Sequence, residues 1–106
     1  IFENAHLWRE HKVALCSICG TLAVDWVKTS TGFGPSGATL DDLRLMRENT
    51  PANVQVKASG GIKTLDQVLE MQALGVTRIG TSSTSAILDE LKQRLAQKWM
   101  SRSSQK

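Results

Sequence analysis

Two lysines, Lys28 and Lys57, each close a short apolar run and are each followed at once by small polar residues. The segments are VKTSTGFGPSGAT at 27–39 and VKASGGIKT at 56–64; a third, TRIGTSS at 77–83, ends in the same kind of turn. An amine that has shed its proton in a dry pocket attacks a carbonyl carbon and forms a Schiff base. A turn such as Gly60-Gly61 lets backbone N–H groups approach an anion closely. Ser82 and Ser83 precede a helix, and a helix N-terminus favours an anion. Lys63 adds positive charge at the rim. Gly-Gly alone is often a plain turn; its pairing with GTSS one strand–helix unit later is far more specific.

The elements that must hold these residues alternate. Residues 1–5 (IFENA) read as the end of a strand. Residues 8–20 read as a helix stopped near Gly20, 23–29 as a buried strand, and 30–38 as a loop with three Gly, a Pro and two Ser. Thr39 opens a helix running to about Asn49, with Asp41 and Asp42 in its first turn. Residues 53–58 form a strand, and Thr64-Leu65-Asp66-Gln67 is a capping box opening a helix that stops at Gly75. Residues 76–80 make the fourth strand and 85–99 the last helix. Strands separated by single helices are parallel, with right-handed crossovers. An open doubly wound sheet and part of a (βα)8 barrel both fit. Polar chemistry at the C-terminal ends of successive strands favours the barrel. No G-x-G-x-x-G occurs, which weakens the dinucleotide-binding form of the open sheet.

Parity sets the direction of the lysines. Val24, Trp26 and Lys28 share one face of their strand; Asn53, Gln55 and Lys57 share one face of the next, with Val54 and Val56 on the other. The valine face should lie under helices, so Lys57 points to the barrel axis, and Lys28 by analogy. On neighbouring strands about 4.8 Å apart, the two ammonium groups would lie about 6 Å from one another. At an effective dielectric of ~20 their repulsion is about 2–3 kcal/mol, which favours one of the pair in its neutral, nucleophilic form. A single strand-end lysine more often snorkels to solvent or pairs with an acid. Two on consecutive strands, both beside Gly/Ser-rich loops, favour a site.

Composition narrows the class. The chain has 106 residues, 41% hydrophobic and 22% charged, which excludes global disorder. No run approaches the ~20 apolar residues of a membrane span, and no basic-then-apolar leader is present. The net charge of +3 divides unevenly: residues 1–91 carry eight Lys/Arg against ten Asp/Glu, whereas Lys92, Arg94, Lys98, Arg102 and Lys106 face no acid. Only Trp99 accompanies that basic stretch, so it reads as a helix C-terminus and a frayed basic tail at 101–106 rather than a nucleic-acid surface. Cys16 and Cys19 lack the second ligand pair of a structural zinc site. They fall on the apolar side of the first helix and read as buried small hydrophobes, with free thiols suited to a reducing cytosol.

The three segments VKTSTGFGPSGAT, VKASGGIKT and TRIGTSS, in that order, resemble deoxyribose-phosphate aldolases, class I aldolases on a (βα)8 barrel. The resemblance runs along essentially the whole chain. It implies an α/β fold that is the C-terminal portion of a TIM barrel, four parallel strands alternating with four helices, with residues 1–100 as a partial barrel domain and 101–106 as a disordered tail. It implies reversible cleavage of 2-deoxyribose 5-phosphate to glyceraldehyde 3-phosphate and acetaldehyde. Lys28 matches the Schiff-base lysine and Lys57 the second lysine that perturbs it. Gly32, Gly60, Gly61, Gly80, Ser82 and Ser83 match phosphate-loop positions, with Ile62 and Lys63 beside them. No metal and no organic cofactor is implied. The expected partner is a small phosphorylated sugar, with no nucleic acid and no membrane; a homo-oligomer is compatible, and the expected location is the cytoplasm.

The chain departs from the family in length, since such barrels run to about 200–250 residues. The family's catalytic aspartate lies on an earlier strand that this chain does not contain, and no acid here takes its place; Glu3 is the only strand-borne candidate for that role. The expectation is an aldolase present as an incomplete chain, inactive on its own. The alternatives are a non-catalytic phosphate-binding half-barrel, or a phosphosugar isomerase or synthase sharing only the phosphate turns, against which Lys28 at the end of DWVKTSTG argues.

Overall fold

The structure is a computed structural model that describes residues 1–104. Seven regular elements follow in order: α1 (Arg9–Thr21), β1 (Trp26–Lys28), α2 (Leu40–Asn49), β2 (Gln55–Ser59), α3 (Leu65–Ala73), β3 (Arg78–Gly80) and α4 (Thr84–Ser104). The sheet is parallel with order β1-β2-β3. Trp26, Val27 and Lys28 lie opposite Gln55, Val56 and Lys57, and Lys57, Ala58 and Ser59 lie opposite Arg78, Ile79 and Gly80.

The period-2 pattern sorts the two faces. Val27, Val54, Val56 and Ala58 are buried, and Leu43, Met46, Leu65, Met71 and Ile87 from α2, α3 and α4 complete the core with Cys16 of α1. Each fully buried side chain of the Val or Leu kind contributes about 1.5–3 kcal/mol. Trp26, Lys28, Lys57 and Arg78 alternate onto the opposite face. There the Arg78 guanidinium lies 4.5 Å from the centroid of the Trp26 ring, a cation–π contact that crosses β2. Local signals place the helices: Thr39 accepts from the Asp42 N–H at 3.1 Å. The Thr64 hydroxyl accepts from the Gln67 N–H, while the Gln67 side chain takes the N–H of Thr64.

Three strands form where four were expected. Phe2 donates to Lys28 O and Asn4 to Thr29 O, at 2.9 and 3.0 Å. Two residues on one segment thus match one step on the other, which breaks the even spacing of a parallel ladder. Glu3 then turns left-handed (φ 52°) and Asn4–His6 close a 3-10 turn. Residues 1–4 therefore lie along β1 without becoming a strand. β1 is also shorter than the stretch 23–29. The end of α1 takes up its first residues: Leu22, Ala23 and Val24 donate back to Ile18, Gly20 and Cys19, and Ala23 has φ 52°. At the other end α4 continues through Ser104, so residues 101–104 of the expected tail are helical; Gln105 and Lys106 lie outside the described residues. Cys16 is buried and its thiol is pushed up to about 11, by burial first and the neighbouring Cys19 second.

Candidate active site

The C-terminal ends of the three strands open on one cavity of about 350 Å³. Strand register sets the two lysines side by side, because Lys28 of β1 is the direct partner of Lys57 of β2. Both are half-buried. Lys28 lines the cavity; Lys57 stands behind it, where a Cβ added at Gly80 would meet the Lys57 Cε at 3.4 Å. Gly80 thus leaves the corridor along which the Lys57 stem runs.

Of the residues matched to phosphate positions, Gly32, Gly60, Gly61, Ile62, Lys63, Gly80 and Ser82 line the cavity, and Ser83 does not. Ser83 spends its backbone elsewhere: its N–H donates to Thr81 Oγ1 at 3.0 Å, and its carbonyl accepts from Ile87 of α4. The Lys63 N–H is likewise taken, by the Gln67 side chain at 2.8 Å, so Lys63 can offer an anion only its side chain. Among the described residues no protein acceptor takes the backbone N–H of Gly61, Ile62 or Ser82. Three free donors and two lysine side chains surround one concavity, an arrangement whose chemistry suits an anion.

The walls are set by contacts between loops. Thr29 Oγ1 donates to Ser59 O at 3.0 Å and accepts from Ser59 N–H at 3.1 Å. Ser30 Oγ donates to Ser59 O, and Ser59 Oγ donates to Ser30 O. All three side chains are buried, so each hydroxyl needs a partner, and together they fasten the end of β1 to the end of β2. Above them Ala38 N–H donates to Gly60 O at 3.0 Å. Gly60 has φ +94°, and a Cβ on Gly37 would lie 2.2 Å from the Gly60 carbonyl oxygen, so the two backbones touch where only glycine fits. Thr81 Oγ1 joins the third loop by donating to Ile62 O at 2.6 Å.

Thr31, Phe33, Ser59 and Thr81 also line the cavity and were not singled out from the sequence. Their hydroxyls and ring lie in the motifs already noted, but nothing in their spacing distinguishes wall from turn. No carboxylate lines the cavity, and no cluster of three metal-binding side chains occurs among the described residues.

Parallel strands, helices on one face and a strand-end cavity lined by Lys28 and free N–H donors define part of a (βα)8-barrel scaffold. The solved structures agree. An aldolase designated QR15 superposes with a TM-score of 0.80 at 40% identity, over 86% of this chain and 41% of its own. A putative deoxyribose-phosphate aldolase from Coccidioides immitis superposes with a TM-score of 0.78 at 33% identity, over 85% of this chain and 37% of its own. Among curated proteins the chain is homologous to deoxyribose-phosphate aldolases. It is 57% identical to that of Rhodopirellula baltica over 95 residues, 90% of this chain and 39% of the relative, and 48% identical to that of Thermococcus kodakarensis over 89 residues. The chain spans about two fifths of the length of the curated relatives it matches. No family model matches it.

Proposed function

We propose that this chain supplies the Schiff-base lysine and the phosphate cradle of a class I aldolase that cleaves 2-deoxyribose 5-phosphate reversibly. The observation that carries the reading is Lys28 lining a cavity with free backbone donors, with Lys57 as its register partner on the next strand. The neutral amine of Lys28 adds to the C1 aldehyde, water leaves, and an iminium forms. The C2–C3 bond then breaks as the C3 hydroxyl loses its proton. The C2–C3 electron pair moves into the iminium to give an enamine, and the electrons of the O–H bond make C3 the aldehyde of glyceraldehyde 3-phosphate. Protonation at C2 and hydrolysis release acetaldehyde and restore the amine. Lys57, the register partner of Lys28 on the next strand, brings a second amine near it, and like charges on adjacent strands repel. Gly61, Ile62 and Ser82, with Lys63, fix the phosphate; Gly32, Gly60 and Gly80 shape the approach.

No metal or organic cofactor enters this scheme. The setting is cytoplasmic, with a small phosphorylated sugar as partner, no nucleic acid and no membrane, and a homo-oligomer compatible with it. No helix among the described residues is long and apolar enough to cross a membrane.

One observation favours a second reading. The cavity has no carboxylate to move protons, as a phosphate-binding half-barrel without activity would have. Borohydride reduction in the presence of acetaldehyde separates the two, because only a Schiff base is fixed covalently. Trapping on Lys28, lost in Lys28→Met and retained in Lys57→Met, is the expected result. Trapping lost only in Lys57→Met would exchange the two roles, and no trapping in the wild type would leave the binding module.

A further inference from the structure

The Glu3 carboxylate hydrogen-bonds the loop after β1, the site's first wall, and the aldolase scheme gives it no task. Its backbone has φ 52° and ψ 61°, a left-handed conformation costly for a residue with a side chain. That conformation directs the carboxylate across to the loop after β1. Thr31 meets it with both donors: the backbone N–H lies 3.3 and 3.2 Å from Oε1 and Oε2, and the hydroxyl donates to Oε2 at 2.6 Å. The same Thr31 Oγ1 accepts from the Phe33 N–H at 3.2 Å. Gly34 closes against the carboxylate, where an added Cβ would sit 2.9 Å from Oε1.

The wall held in this way belongs to the cavity. Thr31, Gly32 and Phe33 line it together with Lys28. Phe33 is 96% exposed, so burial does not fix it; the hydrogen bond from its N–H to Thr31 holds its backbone. The segment bearing Glu3 is tied in turn to the nucleophile's own strand, through Phe2 N–H to the Lys28 carbonyl and Asn4 N–H to the Thr29 carbonyl. A closed circuit results: Lys28 main chain, Phe2, Glu3 carboxylate, Thr31, Gly32.

We propose that Glu3 is a positioning residue for the aldolase site: its ionised carboxylate fixes the Thr31–Phe33 wall relative to Lys28. The proposal rests on the aldolase reading above. Glu3 is not the missing acid–base catalyst, because its oxygens are engaged by Thr31. The clamp requires the charge, since an amide in its place would set an NH2 group against the Thr31 donors. The Thr31 hydroxyl bond is the largest cause holding the Glu3 carboxyl below the usual carboxylate range. Desolvation is the next largest and opposes it; the Thr31 N–H and then the charges of His6 on its own segment and Lys28 on β1 lower the carboxyl further. With the folded value lowered, the clamp is intact above the ordinary carboxylate value and opens as pH falls through the lowered one.

The test compares wild type, Glu3→Gln and Glu3→Asp in the protein that carries this sequence, with His6→Asn as a control for the neighbouring titration. Amide exchange at Thr31 and Phe33 reads the clamp directly. Borohydride trapping of acetaldehyde reads the amine, and cleavage of deoxyribose 5-phosphate reads the assembled site. In Glu3→Gln, exchange at both amides should rise at least tenfold at neutral pH. KM for the phosphorylated sugar should rise about tenfold, while trapping of the small aldehyde persists and the melting temperature stays put. The acid limb of activity assigned to Glu3 should disappear in Glu3→Gln, survive in His6→Asn, and return in part in Glu3→Asp. Unchanged exchange at Thr31 and Phe33, or looser exchange with unaltered KM and acid limb, overturns the proposal. Absence of trapping in the wild type overturns the aldolase reading instead, and the exchange result still decides whether the clamp exists.

Discussion

The β1–β2 side and the β3–α4 side of this sheet are held by different means. On the first, Val27, Val54, Val56 and Ala58 are each at most 1% exposed beneath Leu43 and Met46. Above them the hydroxyls of Thr29, Ser30 and Ser59 interlock with carbonyls of the opposite loop. On the second, Ile79 is half-buried and Ile87 is the one α4 side chain in the core among the described residues. Leu88, Leu95, Trp99 and Met100 are exposed, and α4 is joined to α3 through Arg94, which pairs with Asp66 and Glu90. Lys28 and Lys57 stand on the tight side. The free N–H donors straddle both, with Gly61 and Ile62 from one and Ser82 from the other. A site so divided holds its lysine end rigidly and leaves the spacing to its free N–H donors adjustable, as the proposed reaction needs when bonds change at one end of a substrate anchored at the other.

The difference is broken most severely at the junction of Gly37 and Gly60. Gly37→Ala would put its Cβ 2.2 Å from a backbone oxygen, and neither backbone can swing away as a side chain could. The expected loss is about 4 kcal/mol or more, a large share of what a domain this size has, read as a drop in the denaturant midpoint. A midpoint within experimental scatter of wild type would show that the β1–β2 loops are not interlocked.

How much of this was legible in the sequence follows from range. Strand parity put Val54 and Val56 under the helices and set the lysines on one face, because alternation is a property of neighbouring residues. The caps at Thr39 and Thr64 were legible for the same reason: donor and acceptor are three residues apart. The expected four-stranded sheet failed where backbone conformation at single residues intervened, Glu3 and Ala23 both at φ 52°, which residue type does not announce. The hydroxyl lattice joins residues 29 and 30 apart, and the Glu3–Thr31 clamp residues 28 apart. Serine and threonine in a Gly-rich stretch read as turn formers first, so their pairing with carbonyls of another loop leaves no spacing to find.

A pair of leucine truncations sharpens the contrast at intermediate size. Leu43→Ala removes a fully buried side chain of α2 and should cost about 3 kcal/mol in chemical denaturation. Leu95→Ala removes one that is 55% exposed on α4 and should change stability by about 0.5 kcal/mol or less. Comparable losses at the two positions would mean that the apolar stripe of α4 is covered in solution, and that the looser side is not loose.

The smallest effect concerns what joins α4 to α3. The Arg94 guanidinium donates to Asp66 at 2.9 Å and also to Glu90, whose other oxygen accepts from the Leu65 N–H at 3.3 Å. Asp66 and Arg94 are both exposed, so solvent and salt screen the pair and its worth is small. Its pH dependence is still definite in sign. The hydrogen bond from Arg94 is the largest cause holding the Asp66 carboxyl below its usual range. The contribution is therefore present above the ordinary aspartate value of about 3.9 and lost as pH falls through the lowered one. Once corrected for the intrinsic pH dependence of exchange, amides around Ile87 in α4 should lose protection on acidification, while those of Val27 and Val56 keep theirs. Arg94→Ala should bring the α4 amides to their acid level at neutral pH and abolish the difference between the two conditions, and high salt should do so in part. Equal protection of α4 in wild type and Arg94→Ala at both pH values would assign its attachment to Ile87 alone, and the two sides of the sheet would then be held by one mechanism.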